Sequence, residues 1–409
     1  MKICLIGNGY DLHHKFPTNY LDFLHVVHFL IEHKTETYAT IGEIFSSAEF
    51  ADGDDFIKTV YKKHSDVYDK VKLDIETTKC MVELAENNIW FSYLYSAINK
   101  SLGWIDFEKE IIKVLNSFED FFNNEKNIHY DGSNFVFDWS SFSCNPQTRF
   151  IVNSFNFFYH SVRSDPIFLN SFMSINSDYI VENPINSKCF YLDIEKITSM
   201  LFDSLAELAK LLGLYLKTFV DDPLVYMKEH KYSITCVSYP EADYVVNFNY
   251  TRTFEFLNNI NANVEHIHGT FDADIVLGIN PDEKDELYSI DTTFLQFKKY
   301  YQRVFYRTDI KYLSKIQELN ASKKYDMGHT LYVIGHSLDE TDKDIIVELF
   351  DLANKIIVLY HDSRAVKNYI RNLVKIYGKE GFDEIRVNKG LVFLKQAELS
   401  WHKQPVEYD

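Results

Sequence analysis

The sequence contains little glycine, little proline and few positive charges for its length. Its 409 residues include 14 Gly and 8 Pro, and 16% of them are aromatic, which argues against disordered and fibrous proteins. Lys and Arg number 42 against 60 Asp and Glu, so the net charge is -18. Such an acidic chain has no overall field that attracts phosphate backbones, and we expect no general nucleic-acid binding.

Cysteines and long apolar runs are also scarce. The five cysteines are an odd number and form no CxxC pair, so we expect neither a disulfide framework nor a zinc ribbon, and no metal. The first residues hold too few apolar side chains for a signal peptide, and no run approaches the roughly 20 apolar residues of a membrane span. We therefore predict a soluble, cytoplasmic protein without membrane contact.

Short apolar runs alternate with helical periodicity at both ends of the chain. Residues 3–6 form such a run, which ends at Gly7-Asn8-Gly9 and is followed by a helical pattern. Strands alternating with helices, such as those predicted at 341–353 and 363–377, predict an α/β fold with a parallel sheet covered on both faces. The later strand-like runs lie at 244–246, 264–267, 275–277, 331–334 and 356–359.

Between these two parts, long helical periodicity dominates, as in the series Ile194, Ile197, Leu201 and Leu205. We therefore predict one α/β domain, formed by residues 1–33 together with 233–400. A mostly helical insertion at 34–232 follows its first strand-helix unit. Residues 401–409 are predicted to be a C-terminal tail.

Polar residues follow the predicted strands. In open parallel sheets, ligands bind at the carboxyl ends of the strands, so these residues are expected to share one crevice. The residues at the five strand ends are Gly7, Asn8, Gly9 and Asp11, then Asn249, then His268, then Gly335, His336 and Ser337, and finally Asp362.

Each of these features also has a simpler structural explanation. Gly-Asn-Gly after a strand is a common turn, and Leu12 stands where the dinucleotide fingerprint has its third glycine. Asn249 could cap a nearby helix, and His268 could be an ordinary core or turn histidine. His266 and His268 alternate along a strand, so they are poorly placed to bind one metal together. The joint occurrence and order of the motifs favour a functional site.

The opening segment GNGYDLHHKFPTNYLDF resembles the AbiH family of bacterial abortive-infection proteins. Further resembling segments span nearly the whole chain: WIDFEKEI (104–111), NFNYTRTFE (247–255), HIHGT (266–270) and GHSLDETDKDI (335–345). The order of these motifs also resembles a remote sirtuin fold, with a Gly-x-Gly loop, an Asn motif, His-Gly and Gly-x-Ser. This resemblance implies a sirtuin-like, Rossmann-type sheet and a role in phage defence, where many sirtuin-like domains degrade NAD.

The resemblance also implies roles for single residues. Asn249 matches the asparagine of the sirtuin Asn motif, and His268 matches the His-Gly histidine, which makes them the expected catalytic residues. Thr251 stands where sirtuins have an acid, and the zinc ribbon is absent, which argues against protein deacetylation. The residues expected to bind the phosphates and the adenosine ribose of NAD are Gly7, Asn8, Gly9, Asp11, Gly335, His336, Ser337 and Asp362.

The chemistry of NAD cleavage fits these residue types. Breaking the bond between nicotinamide and ribose builds positive charge on the sugar. Asn249 can position a water or a ribose hydroxyl, and His268, expected to have a pKa near neutrality and to face an open crevice, can take a proton. Backbone amides of residues 7–9 and the following helix terminus would meet the phosphates.

We therefore expect an NAD glycohydrolase that needs no metal. Two alternatives stay open: a non-catalytic sensor or adaptor that binds NAD or ADP-ribose, and a toxin directed at nucleotides or RNA. A phage-derived trigger and self-association are further open questions.

Asp106 and Glu108, in the segment after Trp104, have two interpretations. The first is a capped amphipathic helix with Trp104 in the core. The second is that one of the two acids reaches over the crevice and steadies the cation.

Overall fold

The computed structural model describes most of the chain, in two compact units. One unit comprises the described parts of Met1–Val82, Ala209–Val276 and Lys299–Asp409, and the other those of Glu83–Leu208 and Leu277–Lys298. The described residues are 1–47, 50, 55–98, 105–130, 132, 134–138, 146–155, 157–159, 172–182, 190–232, 241–258, 263–280, 292–323 and 328–396. Trp104 and the predicted tail at 401–409 lie outside them.

The strands and helices are numbered along the chain. The strands are β1 (Lys2–Ile6), β2 (Ile128–Tyr130), β3 (Phe135–Asp138), β4 (Phe158–Tyr159), β5 (Phe172–Ile175), β6 (Ile180–Glu182), β7 (Phe190–Leu192), β8 (Tyr244–Asn247), β9 (Asn263–His266), β10 (Thr330–Ile334), β11 (Lys355–Tyr360) and β12 (Val392–Lys395). The α-helices are α1 (Gly9–His13), α2 (Tyr20–Glu32), α3 (Ile41–Phe45), α4 (Asp55–Tyr68), α5 (Ile75–Asn87), α6 (Ile89–Ile98), α7 (Phe107–Phe122), α8 (Pro146–Ser154), α9 (Ile194–Leu216), α10 (Asp222–Glu229), α11 (Thr253–Asn258), α12 (Lys299–Tyr306), α13 (Ile310–Lys323), α14 (Lys343–Leu352) and α15 (Ser363–Asn388).

A six-stranded sheet forms the centre of the first unit. Its strands lie in the order β12-β11-β10-β1-β8-β9, and every neighbouring pair is parallel. The predicted α/β fold with a parallel sheet is therefore confirmed, and the carboxyl ends of all six strands lie at one edge. None of the described helices is long and apolar enough to cross a membrane.

Burial on both faces explains the continuous apolar runs of these strands. In β1, the side chains of Ile3 and Leu5 join the apolar cluster on one face of the sheet. Cys4 and Ile6 join the cluster on the other face. All four side chains are buried, so the strand shows no polar alternation.

Two details of the sheet differ from the sequence-based expectation. The predicted strand at 275–277 is wrong: the segment is buried but not in a ladder, and the Val276 amide donates to the carbonyl of His268 at 2.9 Å. Conversely, β12 was not predicted. It is an edge strand with no fully buried side chain, so it lacks the apolar signal of the inner strands.

The second unit combines helices with small antiparallel sheets. β2, β3, β5 and β4 form one sheet in that order, and β6 pairs with β7. The predicted helix after Asp106 is confirmed as α7. Asp106 caps its N-terminus, because the Asp106 side chain accepts a hydrogen bond from the amide of Lys109. Its capping role agrees with the first interpretation of that segment.

The loop after β1 and the loop after β10 lie against each other, backbone to backbone. The Gly9 amide donates to the carbonyl of Gly335 at 2.8 Å, and Gly335 has a φ of +68°. A Cβ on Gly335 would lie 2.2 Å from the nitrogen of Tyr10, and one on Gly7 would lie 2.5 Å from the Cα of His336. The two strand ends can approach this closely only because glycine occupies these positions.

We predict that Gly335→Ala destabilises the protein more than Gly378→Ala does. Gly378 has a similar φ of +70°, but in the described chain nothing lies within 4 Å of the position of its Cβ. Both variants should lose about 1–3 kcal/mol to backbone strain, and Gly335→Ala about 1–3 kcal/mol more to the loop clash. Urea unfolding of the two variants measures the difference, and equal losses would contradict the close loop packing.

Candidate functional site

Asp11 lies in the short helix α1, directly behind the Gly7–Gly9 loop, and is fully buried. Its Oδ2 accepts a hydrogen bond from the hydroxyl of Thr251, in the loop after β8. Burial raises the pKa of Asp11 to about 7, against the opposing effect of the hydroxyls of Thr251 and Thr253. The carboxyl forms no ion pair with any residue that the structure describes. It is therefore a buried acid that can gain or lose a proton near neutral pH.

Asn249 follows β8, and its backbone is fixed on both sides. Its amide donates to Oδ1 of Asn247 at 3.0 Å, and its carbonyl lies 2.8 Å from Nδ1 of His266. The other nitrogen of His266 lies 2.6 Å from Oε1 of Glu255. The side-chain amide of Asn249 is close enough to lower the pKa of Asp11, but it does not reach hydrogen-bonding geometry with it.

His268 belongs to a buried cluster around Asp342. The Nε2 of His268 lies 3.4 Å from Oδ1 of Asp342, and the same oxygen lies 2.7 Å from the Lys299 ammonium. On the other oxygen, Oδ2, the Nε2 of His336 lies at 3.4 Å. The Leu338 amide donates to Nδ1 of His336, so His336 carries its proton on Nε2 and points it at Asp342.

Electrostatics within this cluster keep His268 neutral. Burial and the charge of Lys299 hold the pKa of His268 well below its usual range, although Asp342 acts in the opposite direction. Burial alone would raise the pKa of Asp342, but Lys299 and the two imidazoles hold it well below its usual range. The expectation of a pKa near neutrality in an open crevice is therefore wrong for His268, whose exposed fraction is 5%.

Three buried polar atoms at this edge of the sheet have no hydrogen-bond partner among the described residues. They are Oδ1 of Asp11, Nδ2 of Asn249 and Nε2 of His268. Each follows a different strand: β1, β8 and β9. Buried polar atoms without partners are rare, and they are expected where a ligand or water completes them. These three residues form the candidate site.

The predicted phosphate loop is held by other parts of the chain. Asn8 exchanges two hydrogen bonds with Thr18, and the amides of Gly7 and Gly9 donate to Ile334 and Gly335. The helix behind the loop has only five residues, so its dipole is small. The amides of Gly7 and Gly9 can therefore meet an anion only if the two loops separate.

The remaining predicted residues have visible structural roles. Ser337 is exposed, and its carbonyl accepts from the side chain of Asn372. Asp362 is exposed and caps α15, because its side chain accepts from the Ala365 amide. His266 and His268 contact different acids, and only His266 lies within β9. In the described part of the chain, no group of three or more His, Cys, Asp or Glu side chains could hold a metal ion.

Sequence reasoning missed the charged partners of the histidines. Lys299 and Arg303 lie four residues apart on α12, and both side chains are buried. Arg303 pairs with Asp344, next to the Asp342 cluster in sequence. A Lys and an Arg at this spacing usually indicate a solvated helix face, so the pattern gave no signal of a buried site. Asp342 lies within the GHSLDETDKDI motif but was not assigned a role.

The family described as bacteriophage abortive infection AbiH matches residues 3–361 of the chain. No curated protein and no solved structure matches the chain. The matched range includes the three candidate residues and the two loops that lie against each other.

We predict that Asp11→Asn stabilises the protein at pH 8 but not at pH 4. The pKa of Asp11 is raised from 3.8 to about 7, so the carboxyl favours the folded state at low pH. That contribution is lost as the pH rises toward 7, and the charged, buried form then costs on the order of 2–4 kcal/mol. Asparagine carries no charge and avoids this cost.

Thermal unfolding at the two pH values measures the effect. The matched control is Asp383→Asn, which removes an exposed carboxylate and should show no such change with pH. A melting-temperature difference between wild type and Asp11→Asn that is the same at both pH values would contradict the assignment of a buried, titrating acid.

Proposed function

The chain belongs to the bacteriophage abortive infection AbiH family, which implies a role in abortive phage infection, and we propose that it acts there by binding and hydrolysing NAD. The bond broken is the one between nicotinamide and ribose. The observation that carries this proposal is that three buried polar atoms without hydrogen-bond partners among the described residues, from Asp11, Asn249 and His268, follow three strands at the carboxyl edge of a parallel sheet.

The strand order supports a dinucleotide as the ligand. Counted along the chain, the six strands of the sheet lie in the order 3-2-1-4-5-6, which is the order of Rossmann-type dinucleotide-binding sheets. Such sheets bind their ligand where the strand order reverses, which here is between β1 and β10. The Gly7–Gly9 and Gly335–Ser337 loops follow these two strands. Their order along the chain resembles that of the sirtuin motifs.

The charges around the site suit cleavage of the glycosidic bond. As nicotinamide leaves, positive charge develops on the ribose, and nearby carboxylates stabilise it. Asp342 supplies a permanent negative charge, because Lys299 and the imidazoles of His268 and His336 stabilise its ionised form. The Asn249 amide, free on Nδ2, is suited to hold the attacking water or a ribose hydroxyl.

We propose a role for His268 that differs from the proton uptake expected from the sequence. As a neutral imidazole held beside Asp342, it is a weak base and a good hydrogen-bonding group. We assign it to contact the substrate through Nε2, which lies 3.4 Å from Asp342 but forms no hydrogen bond with the described residues. Its role as a catalytic residue is therefore one of orientation rather than proton uptake.

One observation favours a second candidate, a nucleotide sensor without hydrolysis. The Gly7 and Gly9 amides already donate to the β10 end, so phosphate binding must pull the two loops apart. A ligand that separates two strand ends changes the protein's conformation, which is what a sensor requires. Nicotinamide release distinguishes the two candidates.

We predict that purified protein releases nicotinamide from NAD and that Asn249→Ala and His268→Gln each lower the rate by roughly 10²–10³-fold, the usual loss when one preorganised hydrogen-bonding group is removed. Glutamine is used because the buried His268 contributes to packing, so alanine would also cost stability. The double variant should be little worse than either single one, since groups that act together are not additive.

The control variant is His230→Gln, which removes an exposed histidine directly after α10 and should keep full activity. Nicotinamide is followed by liquid chromatography, with a digest of total RNA in parallel. NAD binding without nicotinamide release would support the sensor, and RNA degradation without NAD loss would support a toxin. Full activity of both single variants would contradict the assigned site.

A further inference from the structure

Within the candidate site, Asp11 is the group that titrates near neutral pH. Its carboxyl is completely buried, and one oxygen is bonded by a neutral hydroxyl, that of Thr251. The other oxygen, Oδ1, has no partner among the described residues. A buried carboxyl without a cation tends to hold its proton, and one with a free oxygen can exchange that proton with a ligand.

Asp342, the acid beside His268, has the opposite environment. Asp342 lies between the Lys299 ammonium at 2.7 Å and the imidazoles of His268 and His336 at 3.4 Å each. It therefore stays ionised over the pH range in which Asp11 gains and loses its proton. When two carboxyls have environments that separate their proton affinities in this way, the one with the higher affinity is the candidate acid-base group.

We propose that Asp11 is the proton acceptor of the reaction, taking a proton through Oδ1 from the water that attacks the ribose. This inference rests on the proposed hydrolysis of NAD and adds to it the group that makes the water nucleophilic. The Asn249 amide, which lies beside the Asp11 carboxyl, holds the water in place.

The step balances with water as the co-reactant. The water oxygen forms a bond to C1′ of the nicotinamide ribose as the bond from C1′ to the nicotinamide nitrogen breaks. The electron pair of that bond leaves with nicotinamide, which becomes neutral. The proton of the water passes to the Asp11 carboxylate and is released to solvent before the next turnover, so the products are nicotinamide, ADP-ribose and one proton.

The other polar groups around Asp11 set the pH at which it works. The hydroxyls of Thr251 and Thr253 and the Asn249 amide favour the carboxylate, whereas burial and the charge of Glu255, on α11, favour the protonated form. Since only the carboxylate accepts a proton, the rate should rise with pH and level off above about 7. His14, directly after α1, has its pKa lowered to about 4 by burial and does not titrate in this range.

The first test is Asp11→Asn, assayed by nicotinamide release from pH 5 to 9. We expect a loss of roughly 10²–10⁴-fold at pH 8 and no remaining rise with pH. NAD affinity by calorimetry should stay within about threefold, because the asparagine keeps the size and polarity of the side chain. The control is Asp221→Asn: burial also raises the pKa of Asp221, to about 6, but the residue lies outside the site and its loss should leave the profile unchanged.

The second test moves the pH profile without touching Asp11. Thr251→Val keeps the shape of the side chain but removes the hydroxyl that stabilises the carboxylate. The rise in rate should shift to higher pH by about one to two pH units, the usual effect of one hydrogen bond to a charged group. Thr251→Ser keeps the hydroxyl and should restore the wild-type profile, which a merely structural role would not predict.

The outcomes separate this inference from the function on which it rests. A wild-type protein that releases no nicotinamide at any pH overturns the hydrolysis and the role of Asp11 with it. An active wild type with an equally active Asp11→Asn overturns the role of Asp11 alone. So does an Asp11→Asn variant that loses NAD binding in proportion to its rate, or a Thr251→Val profile that stays at the wild-type pH.

Discussion

The close approach of two glycine-containing loops fixes the geometry of the whole sheet edge. Gly335 lies so near to the backbone of Gly9 and Tyr10 that no side chain fits between them. Because the contact holds the ends of β1 and β10 together, Asp11 behind the first loop and His336 in the second are carried to the same edge. Strand pairing of β1 with β8 and of β8 with β9 then adds Asn249 and His268.

Buried charge gives the two carboxyls at this edge different ionisation in an acidic protein. The chain has a net charge of -18, yet it places a buried cation, Lys299, against Asp342. Asp11 receives hydroxyl donors and no cation from the described residues. The aspartate at position 342 is thus ionised, whereas the one at position 11 has a pKa of about 7. Such a site costs folding stability, as functional sites often do.

The α/β fold was largely predictable because strands of a sheet that is buried on both faces are continuous apolar runs in the sequence. β1, β8, β10 and β11 are apolar runs that end at polar residues, whereas β12 is a partly exposed edge strand without that mark. The segment 275–277 shows the limit of the same signal, since an apolar run can be buried beside a strand end without joining the sheet.

The site was predictable in its motif residues and not in its electrostatics. Asn249 and His268 stand directly after strands, and Asp11 is part of the opening motif. The low pKa of His268 depends on its burial and on the charge of Lys299, which is 31 positions further along the chain and comes near it only in the tertiary structure. Contacts between residues so far apart in sequence leave no local pattern. The sequence alone therefore suggested that His268, at a strand end, has a pKa near neutrality.

The most direct measurement is a crystal structure of the full chain with ADP-ribose bound. We expect the C1′ hydroxyl of the ribose to lie within hydrogen-bonding distance of Oδ1 of Asp11 and Nδ2 of Asn249, with the pyrophosphate between the separated loops after β1 and β10. ADP-ribose bound elsewhere, or bound with its ribose away from these two atoms, would contradict it.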